Sequence, residues 1–444
     1  MEYFFKYFER YSILKGVSLV LEKNELIENN MFLSFLTMVL GLTLSSNIIY
    51  VFSFGSTHFT VSEVYSVLLF IYLVTIKRVN WQNIFQTVDF AFKMFCILIA
   101  FSGAFAFITF FSISLLYRFI VGIISFGICL TTMVDVISLF DYRRFLARGC
   151  IIGIIINCLF CIAQYIAYQM NIPFTLLYDM FKQASFHQNI YNFCAQGLFL
   201  EPSHMNQYLA SVVPICIGFI GMTKIKNKLF LIFVLACCAL STSGTAAVVA
   251  VGLLLLLMLD RPFSRYVNKS SFVFVVVLVF LFIIIGTFFS DSTLIVSISD
   301  NVRHYIKLSI EGSNIGDSSN AERVQSMKEA IKLIPQNPLG CGWNMVHTLL
   351  QQKTDLGTAS AFSDMLEMTL EIGVLGVSLY VISACNSIFA CLRIREYDSQ
   401  GVAVAIVCVL IMEILADYAI NPCIMSILAL GMCYRNELIN TSQI

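Results

Sequence analysis

Apolar residues come in long runs along this chain, not in alternation. Twelve runs approach the roughly 20 residues that a helix needs to cross a bilayer core. They cover 31–53, 60–76, 90–111, 117–139, 149–170, 206–222, 228–241, 243–259, 271–289, 364–391, 401–418 and 420–434. Stretches such as Val248–Leu259 are continuous, which fits helices and not the alternating strands of a barrel. Two runs, 228–241 and 420–434, are short for a full crossing. The pattern predicts an all-α polytopic integral membrane protein with about twelve transmembrane helices and one large loop, 290–363. A second, shorter loop covers 171–205.

The large loop has structure of its own. Ser319-x-x-Glu322 reads as a capping box, and Val324, Met327, Ile331 and Ile334 recur at helical spacing. This predicts an amphipathic helix over 319–334, stopped by Pro335 and Pro338 and followed by the turn Gly340-Cys-Gly342. Arg323 should border its docked face, with Lys328 and Lys332 nearer water.

Composition agrees with the pattern. Of 444 residues, 59% are hydrophobic and 12% charged, and the mean hydropathy is +0.84. A soluble fold of this size has no means of hiding so much apolar surface. Lys+Arg and Asp+Glu both number 27, which gives no electrostatic case for nucleic acid.

Charge placement gives an orientation. With the N-terminus in the cytoplasm and alternating spans, 18 of the 27 basic residues fall in inside segments, and every short inside loop is basic. The expected order is a cytoplasmic segment 1–30, helices one to five in 31–170, an outer loop 171–205 and helices six to nine in 206–289. The large outer loop 290–363, helices ten to twelve in 364–434 and a cytoplasmic tail 435–444 follow. The first 30 residues read as an interfacial helix, not a cleaved signal. Fifteen cysteines, mostly within spans, are no disulfide framework; Cys194 and Cys341, the two in outer loops, read as free thiols more readily than as a bridge. No Cys/His spacing for zinc and no phosphate-binding glycine loop occurs, so neither metal nor cofactor is expected.

Three ordered stretches resemble the O-antigen polymerase/ligase family of bacterial inner membranes. Gly197-Leu-Phe-Leu-Glu-Pro-Ser203 is similar to the family's G-L-F-x-E-P-S segment. Arg323 with Ile334-x-x-Asn337-Pro-Leu-Gly340-x-Gly342 is similar to its R…N-P-x-x-G-x-G signature, and Ser363-x9-Gly373-x2-Gly376 to the start of its next span. Where ligases carry a His, this chain has Phe362, with His347 the nearest histidine before it. The resemblance is therefore nearer to the Wzy-type polymerases, with a GT-C-like helical plan.

That resemblance implies a membrane glycosyltransferase of the inner (cytoplasmic) membrane, working on the periplasmic side. It would move a growing glycan from undecaprenyl diphosphate to a sugar hydroxyl of the next lipid-linked unit, with a chain-length regulator as a further partner. Such chemistry needs cations for the departing diphosphate, and arginine suits it because its fork meets phosphate oxygens in pairs. Arg303 and Arg323 are the candidates; Lys307 and Arg118 are weaker ones. A base must take the hydroxyl proton, for which Glu201, His204 and Glu367 are the candidates, with Glu371 beside Glu367 at i,i+4. Asp364 is a cap candidate for that helix. Glu413 and Asp417 repeat the acidic i,i+4 pair on the next span, and Asp89 with Lys93 reads as a local ion pair. Two other readings remain open: an O-antigen ligase of the same plan, and a lipid-linked oligosaccharide flippase. The flippase should show two related halves, and the single late loop does not fit that.

Overall fold

The computed structural model describes residues 20–46, 50–54, 57–76, 79–110, 127–138, 140–170, 195–199, 202–220, 225–241, 318–343, 345–353, 360–361, 363–394, 396–415 and 421–442. The described residues are helical with one short antiparallel hairpin among them. In order, the elements are α1 (Val20–Thr43), β1 (Tyr50–Phe54), β2 (Thr57–Thr60), α2 (Val61–Thr75), α3 (Trp81–Thr87), α4 (Phe90–Phe110) and α5 (Gly127–Ile137). Then come α6 (Phe140–Gln169), α7 (Pro202–Ile220), α8 (Ile225–Leu240), α9 (Ser318–Leu333), α10 (Val346–Lys353), α11 (Asp364–Ile394), α12 (Tyr397–Leu415) and α13 (Asn421–Ser442).

Among the described residues, four stretches are long and apolar enough to cross a membrane: Phe90–Thr109, Tyr142–Gln169, Asp364–Ile394 and Tyr397–Ile414. Their outward residues are large and apolar, including Phe101, Phe105, Ile108, Leu159, Leu375 and Phe389, each more than half exposed. In water such a belt would drive association; against lipid it costs nothing. The expected runs 243–259 and 271–289 lie outside the described residues.

The first expected span needs correction. α1 stops at Thr43, and residues 50–53 lie in β1, not in the run 31–53. The hairpin's last residue, Thr60, starts α2 through a capping box: its Oγ1 accepts from Glu63 N, and Glu63 Oε2 accepts from Thr60 N at 2.8 Å. The apolar run hid this because β-branched and aromatic residues serve strand and span equally. At the other end α1 begins at Val20, so the expected boundary at residue 30 falls inside a continuous helix.

Small residues let two helix pairs approach closely. On α1 and α6, a Cβ at Gly41 would lie 2.2 Å from Leu146 O, and one at Gly149 would lie 1.9 Å from Met38 O. This is the small-xxx-small contact that membrane helices use in place of a hydrophobic driving force. α7 and α12 cross similarly, Gly401 lying against Pro214 O and Gly218 against Tyr397 and Asp398. α7 is buried without a break from Met205 to Gly218, so it stands at the centre of the bundle.

The α7–α12 contacts run in opposite chain directions, which sets the two ends of the bundle. Glu413, twelve residues beyond Gly401, is level with the start of α7, twelve residues before Pro214. Ser363 Oγ donates to Glu413 O at 3.0 Å, so the start of α11 is at the same end. The opposite end is held by Arg143, of which 1% is exposed. Its Nε donates to Ile137 O at 2.7 Å, it forms an ion pair with Glu437, and its guanidinium lies 4.6 Å from the Tyr434 ring centre. Tyr434 OH donates to Asp398 Oδ2 at 2.7 Å. The charge count treated Arg143 as an inside-loop cation; it is instead a buried tie between α6 and α13.

Asp89 and Lys93 do not form the expected ion pair. Asp89 Oδ1 accepts from Phe92 N at 2.7 Å, capping α4, and Asp89 Oδ2 accepts from Asn386. Lys93 Nζ donates to Phe85 O. An N-cap has first use of the carboxylate because it satisfies a backbone donor that nothing else reaches.

Candidate functional site

The site end is built around a broken helix. Ser363 caps α11: its Oγ accepts from Leu366 N, and its carbonyl accepts from Glu367 N at 2.9 Å. Asp364, the expected cap, is the first helical residue instead. Nine residues on, Gly373 adopts φ 77° and ψ 169°, and the helix breaks. The break frees the carbonyls of Leu370 and Glu371, which the segment 337–342 then takes up. Cys341 N donates to Leu370 O at 2.7 Å, Gly342 N to Glu371 O at 3.1 Å, and Ser102 Oγ also to Glu371 O at 2.7 Å. In return Val374 N donates to Pro338 O at 3.3 Å.

This clip explains the glycine spacing of the sequence. Gly340 and Gly373 have φ of 89° and 77°, where L side chains are strained. They also leave no room: a Cβ on Gly340 would lie 2.3 Å from Glu371 O, and one on Gly373 would lie 2.7 Å from Leu339 C. The glycines let two backbones meet. Irregular backbone at membrane depth is tolerated where protein covers it and pairs its polar groups, and the clip does both. Cys341 sits in the clip as a free thiol, and burial, with the Glu371 carboxylate beside it, pushes its pKa up to about 12. Cys194 lies outside the described residues.

The amphipathic helix is present as α9, and a short 3-10 turn, Ile334–Gln336, ends it at Pro335. Its docked face differs from expectation. Ala330 and Leu333 are buried with Val346, Leu350, Ala361 and Leu370, whereas Ile331 is 54% exposed. Ser326, fully buried, donates through its hydroxyl to Ser360 O. A small polar residue thus takes a place in the docked stripe that hydrophobic periodicity alone would not give it. Lys328 and Lys332 are exposed as expected, and Lys332 pairs with Glu329.

Glu367 stands where α9, the segment 360–361 and α11 meet. Its Oε1 accepts from Ser360 Oγ at 2.9 Å and from Ala361 N at 3.0 Å. Its Oε2 carries no hydrogen bond among the described residues. Arg323 lies on α9 one turn before Ser326, so the backbone carrying it is joined to Glu367 through Ser326 and Ser360. The side chain of Arg323, and all of Arg303 and Glu201, lie outside the described residues, as do Arg118, Lys307, Phe362 and Asp417. His204 is half-buried in the first turn of α7, at the same end of the bundle as Glu367. Glu371 is buried one turn beyond Glu367.

Sequence reasoning missed a set of buried amides. Asn157 and Gln164, seven residues apart on α6, hold the turn at Gly197. Leu198 N donates to Asn157 Oδ1 at 2.8 Å, and Gln196 N and Gly197 N both donate to Gln164 Oε1 at 3.1 Å. Gln164 Nε2 returns a bond to Gly197 O at 3.2 Å, and Asn157 Nδ2 donates to Ser45 O at 2.7 Å. Asn206 Nδ2 donates to Ser241 Oγ at 2.6 Å, while its Oδ1 is buried without a partner. The available signal was two amides a heptad apart in an otherwise apolar run. Glu413 was noted for its place in a span; it is 2% exposed, accepts from Tyr380 OH at 2.7 Å through Oε1, and leaves Oε2 unpartnered.

Comparison with known families adds one observation. Residues 229–381 match the family model Wzy_C, described as O-antigen ligase. The match covers about a third of the chain and marks a likeness to that family over this stretch. The matched region takes in Arg303, Arg323, the clip and Glu367, and leaves Glu201 and His204 outside it. No curated protein matches the chain.

Proposed function

We propose that this protein is an O-antigen polymerase. It transfers a growing glycan from undecaprenyl diphosphate to a hydroxyl of the next lipid-linked repeat unit. The family match across the stretch that the clip and α9 organise supports the coarser part of this reading, an enzyme of surface-polysaccharide assembly acting on a lipid-linked glycan. Phe362, standing where ligases of the resembling family carry a His, supports polymerase over ligase.

In the proposed reaction the bond between the donor sugar's anomeric carbon and the diphosphate oxygen breaks. A bond from that carbon to the acceptor oxygen forms, and the acceptor's proton passes to a carboxylate. Arg323 and Arg303 hold the diphosphate and stabilise the charge it gains. Glu367 takes the proton through Oε2, while Oε1 stays committed to Ser360 and Ala361. His204 and Glu201 are the alternative proton acceptors, at the start of α7. In this reading the site faces the periplasm, both termini are cytoplasmic, the protein resides in the bacterial inner membrane, and a chain-length regulator sets product size. The exposed apolar belt gives the polyprenyl tail a lateral approach.

Ligase is the second reading, favoured by the description of the matching family model. The surface-polysaccharide ladder of a deletion strain separates the two. Under the polymerase reading that strain keeps lipid A-core capped with a single repeat unit, and Arg323→Ala and Arg303→Ala reproduce the pattern at normal protein level. Loss of even the single-unit band supports the ligase reading, and long chains surviving both substitutions would refute the phosphate-holding assignment.

A further inference from the structure

The end of the bundle away from the clip carries an open cleft of about 820 Å³ between α11 and α13. Arg393, Arg435 and Asn386 give it polar lining, and Phe389, Leu392 and Ile439 give it an apolar floor. Arg393 is exposed and Arg435 half-buried. Neither guanidinium has an ion pair among the described residues, since the pairs there are Arg143–Glu437 and Lys332–Glu329. Glu437, the carboxylate two residues from Arg435, is already taken by the buried Arg143. Phe389 is 67% exposed on the apolar side.

Depth fixes the setting. Arg393 is 20 residues beyond the break at Gly373, which is about 30 Å along the unbroken part of α11 at about 1.5 Å per residue. The hydrocarbon core of a bilayer is about 30 Å thick. With the break near one edge of that core, Arg393 lies at headgroup level at the other, with Phe389 a turn deeper. Two unpaired cations above an apolar slot match a ligand that is anionic at one end and apolar below it.

We propose that this cleft is a binding site for an anionic phospholipid. The phosphodiester lies between Arg393 and Arg435, and an acyl chain runs over Phe389 and Ile439. The two guanidiniums supply the attraction, and the fixed floor makes the lipid a bound ligand and not a passing neighbour. The proposal is independent of the reaction assigned to the clip end.

The test uses the full-length purified protein in a neutral detergent, with lipid retention read by native mass spectrometry. Phosphatidylglycerol and phosphatidylcholine are the two probes. The wild type should retain phosphatidylglycerol, and the double variant Arg393→Gln/Arg435→Gln should bind it about thirtyfold more weakly, a factor of about five per guanidinium. Phosphatidylcholine should bind both proteins equally weakly, and millimolar inorganic phosphate should not displace phosphatidylglycerol. Phe389→Asp, which keeps both arginines, should also lose the lipid. An unchanged melting temperature in lipid-free detergent shows that the variants are folded. Equal phosphatidylglycerol retention by wild type and double variant overturns the proposal, and so does displacement by inorganic phosphate, which would mark a site for the free anion.

Discussion

Gly340→Ala tests whether the clip holds the site end together. The new Cβ would lie 2.3 Å from Glu371 O and 2.8 Å from Gly373 N, both backbone atoms that no rotamer change can move. Segment 337–342 must withdraw, and three backbone bonds go with it: Cys341 to Leu370, Gly342 to Glu371 and Val374 to Pro338. At about 1 kcal/mol net for each bond, plus about 1 kcal/mol for an alanine held at positive φ, the clipped state weakens by about 4 kcal/mol. That is about a thousandfold in the equilibrium between clipped and open forms. Cys341 reports the change directly, because in the clip it is a half-buried thiol whose pKa is pushed up to about 12. Released into water, it should react with maleimide as an ordinary thiol does. The assay is the rate of labelling at pH 8, read on the peptide containing Cys341 by mass spectrometry. The expected result is an increase of at least a hundredfold, with loss of polysaccharide synthesis. A rate within twofold of the wild type, with normal product, would refute the reasoning.

Asn157→Ala removes the acceptor for Leu198 N and the donor to Ser45 O, leaving both buried groups unsatisfied; it should destabilise the protein by about 2–4 kcal/mol, read as a lowered melting temperature in detergent. Glu367→Gln keeps an oxygen able to accept from Ser360 and Ala361, so the melting temperature should stay within about 2 °C of wild type while polymer formation is lost; survival of activity excludes Glu367 as the base. Glu396, between α11 and α12, has its carboxyl pKa raised by burial and by the neighbouring Asp398 and Glu437. A carboxyl raised in the folded state costs stability as pH climbs above its unfolded value of about 4.5, so Glu396→Gln should raise the melting temperature at pH 7.5 but not at pH 4. An equal change at both values would exclude the linkage.

The membrane-spanning character and the amphipathic helix were legible because each is written in periodicity and run length, which depend on the local chain alone. α9 falls within a residue of its expected bounds. The hairpin at 50–60 was not legible, since Tyr, Val, Phe and Thr are as much strand formers as span formers. Gly340, Gly342 and Gly373 were legible as a spacing but not as a clip: their partners are carbonyls some 30 residues away, and backbone atoms leave no trace in a sequence. Arg143 read as an ordinary loop cation because the chain around it is basic; only packing against Tyr434 and Glu437 buries it. Glu367 was found through its position, but its tie to Ser360 and Ala361 depends on how the loop returns to α11.

α6 is fastened by buried polar contacts at both extremities, through Arg143 to Glu437 at one and through Asn157 and Gln164 to the Gly197 turn at the other. A rod pinned twice can neither slide along its axis nor spin about it without breaking one fastening. It therefore behaves as a mast against which other parts shift. Any widening that admits a bulky substrate has to be carried by elements on the far side of the clip, with the turn at Gly197 staying where α6 holds it. Spin labels on α6 and on the Gly197 turn should keep one fixed separation through the whole catalytic cycle.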